Sequence, residues 1–144
     1  MSLDLDNEKI LDRYKKIILG LESLVRIVTT GKSDSKIPIT INVHGTFISG
    51  DLVSIENFHD NMKTTMLGNL NQKNNPEVYE PIRDALQILE NIKIIDENNN
   101  FIFDYICIKD GSIFVTGSRP FVTPFWIGKL ESVDGFSIGK MVSE

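Results

Sequence analysis

His44, His59 and Cys107 are the residues of this chain whose side chains could serve as metal ligands, bases or nucleophiles near neutral pH. A metal centre needs several His, Cys or carboxylate ligands at recognisable spacing. The nearest approach is His59-Asp60, and adjacent helix positions point in different directions. His44 precedes Gly45 at a predicted hairpin tip, and His59 follows Phe58 in a short predicted helix. Both are expected to be solvated. Cys107 would need a lowered pKa and a nearby histidine to act as a nucleophile. It alternates with Tyr105 and Phe103 along a strand, so it is expected to fill core. Glu77, Glu80, Asp84, Glu90, Asp96 and Glu97 could pair as acid and base. Nothing separates two of them by environment, and a solvated helix or turn surface accounts for them. Gly31-Lys32-Ser33 has the tail of a phosphate loop without its upstream glycine, so Gly31 reads as a helix stop. No catalytic, cofactor or metal site is expected.

The elements that would position these residues follow from periodicity. Ile10, Leu11, Tyr14, Ile17, Ile18, Leu21, Leu24, Val25 and Val28 mark one face of a leading helix over 7–30. Asp6 or Asn7 would cap its start and Gly31 its end. Gly20 weakens its interior unless another element packs there. Ile39, Ile41 and Val43 alternate with polar residues, and His44-Gly45 turns the chain into a second strand, where Gly50 suggests a bulge or a sharp bend. Ile55, Phe58, Met62, Met66 and Leu70 fit a helix, followed by a polar loop over 68–75. Pro81 should break the next helical stretch, giving a helix over 81–91 with 76–80 an offset turn; Ile82, Ala85, Leu86, Leu89 and Ile92 form its apolar face. A central strand from Phe101 should end at an Asp110-Gly111 hairpin turn. A closing hairpin should run from Trp126 to Gly139 around Asp134-Gly135.

Helices do not alternate regularly with strands, which argues against a doubly wound parallel sheet. The expected fold is α+β: a strongly bent antiparallel sheet or small open barrel, Sm-like in layout, with a long N-terminal helix and one or two helices inserted between strands 2 and 3. One domain is expected over 1–144. Residues 1–6 should be flexible, and 38–140 should form the sheet core with its helical insertion at 55–92. The predicted structural turns use Gly45, Gly50, Gly111, Asp134 and Gly135.

The net charge of −5, with 15 scattered Lys and Arg, argues against nucleic-acid binding, which relies on clustered positive charge. One cysteine excludes an internal disulfide and suits the cytoplasm. No apolar run reaches the length of a membrane span, and the acidic N-terminus lacks a secretion pattern. Phe125 and Trp126 fall on opposite faces of a regular strand, and Phe121 lies in the loop before them. Exposed aromatics near prolines often mark protein contacts, so these three are the candidate partner-contact residues.

Trp126, Gly128 and Leu130, then Val133-Asp134-Gly135-Phe136-Ser137 and Gly139, are similar to the closing motif of the gas vesicle accessory protein U family. Ile39 to Gly45 with Ile48-Ser49-Gly50 resembles that family's first hairpin, and Phe103 to Asp110 its central strand. The chain departs from the family at Thr123-Pro124-Phe125, where a glycine-rich approach is expected. The resemblance implies a non-enzymatic cytoplasmic accessory protein without cofactors. It would act in gas vesicle assembly or clustering, as a homo-oligomer touching vesicle shell or accessory proteins. An Sm-like RNA-binding module is the alternative.

Overall fold

The computed structural model describes residues 2–68, 70, 76–91, 95–100 and 102–141; the side chains of residues 2–6 and 11–14 lie outside that description. Phe101, Ile92, most of the 68–75 loop and the side chains of Leu11 and Tyr14, all used above, fall outside it as well. The elements run α1 (Ser2–Thr30), β1 (Ile37–Val43), β2 (Thr46–Val53), α2 (Ile55–Gly68), α3 (Pro76–Glu90), β3 (Tyr105–Phe114), β4 (Phe121–Lys129), a 3₁₀ turn (Leu130–Ser132) and β5 (Gly135–Ile138). The result is an α+β fold with one antiparallel five-stranded sheet in the order β4-β3-β2-β1-β5. The sheet is open, because its outermost strands β4 and β5 are not paired with each other.

Strand alternation puts two apolar sets on opposite faces. Ile39 and Ile41 of β1, Ile48 and Leu52 of β2, and Ile106 and Ile108 of β3 share a core with Leu21, Val25 and Val28 of α1, closed by Leu130 and Val133. Val53 and Cys107 point the other way. They meet Phe58 and Met62 of α2 and Leu86 of α3, with Phe125 and Ile127 of β4 alongside. Gly20 of α1 faces β5, where an added Cβ would stand 3.5 Å from the Phe136 ring, an ordinary contact.

On the same side of β2 as Val53, Ser49 and Asp51 are buried under the chain's C-terminal segment. Lys140 Nζ lies 2.9 Å from Asp51 Oδ1. The Met141 N–H donates to Ser49 Oγ at 2.7 Å, and Thr40 Oγ1 donates to the Gly139 carbonyl at 2.8 Å. Gly139 makes this return at φ 113°, in the region that favours glycine.

Four sequence-based expectations are corrected here. First, Asp110-Gly111 is not a hairpin turn. β3 runs straight through it, and Asp110 (φ 52°) with Gly111 opposes the single residue Gly50. The extra residue makes a β-bulge, which bends a strand without reversing it. Second, Trp126 to Gly139 is not a hairpin. β4 lies at one edge of the sheet and β5 at the other. A two-residue type I′ turn needs positive φ at both central residues, and neither Asp134 nor Gly135 has it. Third, α3 starts at Pro76 and passes through Pro81. The proline removes one bond, to the Glu77 carbonyl, near the helix start where both residues face water. Packing of Ile82, Leu86 and Leu89 against α2 outweighs that loss. Fourth, α1 begins at Ser2, ahead of the Asp6 or Asn7 cap.

The first hairpin is as the sequence indicates. His44 (φ 53°) and Gly45 (φ 90°) form a two-residue turn with both φ positive, setting Val43 opposite Thr46.

Candidate functional site

His44 stands exposed at its turn. Its N–H donates to Asp134 Oδ2 at 2.7 Å, and its Nδ1 lies 3.4 Å from the same oxygen. Asp134 in turn donates its own N–H to the Asn42 carbonyl at 2.8 Å. Asp134 therefore ties the start of β5 to the β1–β2 turn. This role has no counterpart in the hairpin expected from sequence. A His–Asp contact this exposed, whose Asp already accepts the turn's own N–H, is a turn clamp and not an acid–base pair.

His59 is not solvated, contrary to the sequence reading. Only 7% of its surface is exposed, and its Nε2 lies 3.2 Å from the Leu86 carbonyl. It joins α2 to α3, satisfying a buried polar atom as the interior requires. The sequence offered a signal in the spacing: His59 follows Phe58 and precedes Met62 by three, on the buried side of α2.

Cys107 lies in the core as expected. Burial pushes its thiol up to about 12 from an ordinary value of 9.0, because the charged thiolate is poorly solvated there. It is no nucleophile at neutral pH. The sign of the coupling to stability follows: above pH 9 the unfolded chain releases this proton while the folded chain keeps it. Stability therefore falls as pH rises from about 9 towards 12. Native protein at pH 8 should react with iodoacetamide far more slowly than protein in denaturant, as followed by mass spectrometry. Equal rates would show that Cys107 is reachable in the folded state.

The carboxylates stay apart from one another functionally. Glu77, Glu80, Asp84 and Glu90 lie on exposed positions of α3, and Asp96 Oδ1 accepts the N–H groups of Asn98 and Asn100 in its own turn. Gly31 ends α1, donating to the Ile27 carbonyl. Among the described residues no group of three His, Cys, Asp or Glu is placed to hold a metal ion. A cleft of about 530 Å³ between α1 and the Asp104-Tyr105 end of β3 is lined by Glu22, Asp104, Lys129 and Glu131, with no histidine or cysteine. No helix among the described residues is long and apolar enough to cross a membrane.

The three aromatic candidates separate. Phe125 is half-buried, edge-on to Phe58 with ring centres 5.6 Å apart. Trp126, on the other face, packs against the core under α1, its ring lying over Gly128. Phe121 is 53% exposed, and beside it Val122, which the sequence reading did not single out, is 77% exposed. Both sit at the start of β4, a strand that pairs only with β3 among the described residues. Pro124 within β4 confines that strand to an edge, since proline cannot donate to a ladder on both sides. The candidate site is thus an apolar strand end beside a row of backbone groups that no described strand pairs. Such an edge is a template for another chain.

No curated protein and no solved structure matches this chain. A family profile described as "Gas vesicle protein GvpU-like" matches residues 19–141, which hold every described strand and the buried Leu21, Val25 and Val28 of α1. The chain belongs to the GvpU-like gas vesicle protein family.

Proposed function

We propose that this chain is a non-enzymatic, cytoplasmic accessory protein of gas vesicles, acting in their assembly or clustering. It does so by self-association and by contact with shell or other accessory proteins, through the outer edge of β4. Family membership supports the vesicle context. The observation that carries the contact surface is the exposed Phe121-Val122 pair on an edge strand whose outer side no described strand pairs. Phe125 and Trp126 serve that edge from behind, anchoring β4 to both faces of the core. An open sheet has two such edges, and the β5 edge also exposes Ile138. Edges of one sheet that meet head to tail build extended clusters or rings from a single surface pair. The leading helix, the strand order and the 3₁₀ turn before β5 support reading the fold as Sm-like and bent towards a barrel. Neither the family match nor the acidic charge balance supports the Sm-like RNA-binding alternative.

The test is Phe121→Lys combined with Val122→Lys. Both sites are exposed, so stability should change by no more than about 0.5 kcal/mol per site. Light scattering and co-sedimentation with purified gas vesicles should show self-association and vesicle binding reduced about tenfold or more. Unchanged binding by the double variant, or a wild-type chain that is monomeric and stays in the supernatant, would refute this reading.

A further inference from the structure

Helix α3 is apolar on two sides, and among the described residues only one of them is packed against another element. Ile82, Leu86 and Leu89 pack inward with α2. Val78, Pro81, Ala85 and Ile88 recur at spacings of three, four and three, which places them in one stripe on the helix. All four face water, Val78 with 46% and Ile88 with 72% of its surface exposed. Glu77 and Asp84, seven residues apart, run along the free border of this stripe, and both are exposed. The helix carries four carboxylates against one arginine. That arginine, Arg83, reaches Glu80 at 3.2 Å and Asp84 at 3.8 Å, and Glu77 and Glu90 remain outside its reach.

An isolated exposed apolar residue needs no explanation, but an aligned stripe with a charged border is the pattern of a helix-binding surface. The sign of the border selects the occupant. Two copies packed through this same face of α3 would set these carboxylates against one another. An anionic lipid surface is disfavoured for the same reason. We infer that the outer face of α3 docks an amphipathic helix of a partner protein whose apolar face is flanked by Lys and Arg. This surface is separate from the β4 edge, and it stands whether or not that edge functions as proposed.

Two labelled synthetic peptides of about 18 residues test it. They share one apolar face, with Leu at i, i+3, i+4 and i+7, flanked by Lys and Arg in one and by Glu in the other. Fluorescence anisotropy on the full chain should show the basic peptide binding about tenfold tighter or more, with affinity falling as salt rises. Ile88→Glu, or separately Val78→Glu, should cut that binding about tenfold with an unchanged far-ultraviolet spectrum, while Phe121→Lys leaves it unchanged. The charge swap Glu77→Lys with Asp84→Lys, which keeps the apolar stripe, should reverse the preference between peptides. The inference is overturned if neither peptide binds, if both bind equally, or if Ile88→Glu has no effect. It is also overturned if Ile88→Glu instead dissolves a self-assembly of this chain or abolishes binding to anionic vesicles.

Discussion

Gly50→Ala should destabilise the fold by about 3 kcal/mol, at the upper end of what overpacking a core costs. A Cβ at position 50 would stand 2.5 Å from Ile108 Cγ2, 2.8 Å from Gly111 Cα and 2.9 Å from the Lys109 carbonyl oxygen. Two of those three atoms are backbone, so no change of rotamer can clear them. The crowding arises from the bulge: two β3 residues, Asp110 and Gly111, fold in against one β2 residue. Gly111 is crowded from its own side too, though less, with an added Cβ 3.0 Å from the Ser49 carbonyl oxygen. Urea unfolding should show a lower midpoint with an unchanged slope. A loss under about 1 kcal/mol would mean that β3 can withdraw from β2 without disturbing the sheet.

Ile108→Ala is expected to be as severe, about 3 to 4 kcal/mol, within the usual range for truncating a fully buried isoleucine. Ile108 lies in the core beneath α1 and cannot be replaced by water. The pair is more informative than either change alone. Ile108 Cγ2 is the nearest atom to the Cβ that Gly50→Ala introduces, so removing it relieves part of the overpacking. The double variant should lose less than the sum of the two single losses, by about 1 kcal/mol in a double-mutant cycle. Strict additivity would assign the whole cost of Gly50→Ala to the backbone contacts with Gly111 and Lys109.

Residues that act within their own neighbourhood were readable in the sequence. The His44-Gly45 turn needs only two residues able to take positive φ between alternating strands, and it forms as expected. An irregularity at Gly50 was readable too, though the extra residue of the bulge lies on the partner strand. Asp110-Gly111 and Asp134-Gly135 show why the rest was hidden. One Asp-Gly pair sits in a bulge and the other leads into an edge strand clamped to a distant turn. Both outcomes depend on register with residues far along the chain, which a local pair cannot encode. Pro81 has the same lesson on the helical side. Its local cost was legible, but the packing of α3 on α2 that overrides it was not. The candidate site divides in the same way. Phe121 follows from an aromatic beside prolines, whereas the inward packing of Phe125 and Trp126 depends on Phe58 and on α1.

The pairing of β5 with β1 also sets an order of events during synthesis. Ile39 to Asn42 find their partners at Ile138 to Gly135, so β1 waits for a strand made far later along the chain. Closing so long a loop is entropically costly and comes late. Contacts of this range slow folding relative to that of a helical bundle. While the ribosome is still making the second half, β1 has one side unfilled and presents a sticky edge of the kind that captures neighbouring chains. The nascent protein is therefore most prone to wrong association in the interval before residues 135–138 appear, a hazard that the mature molecule no longer shows at that strand.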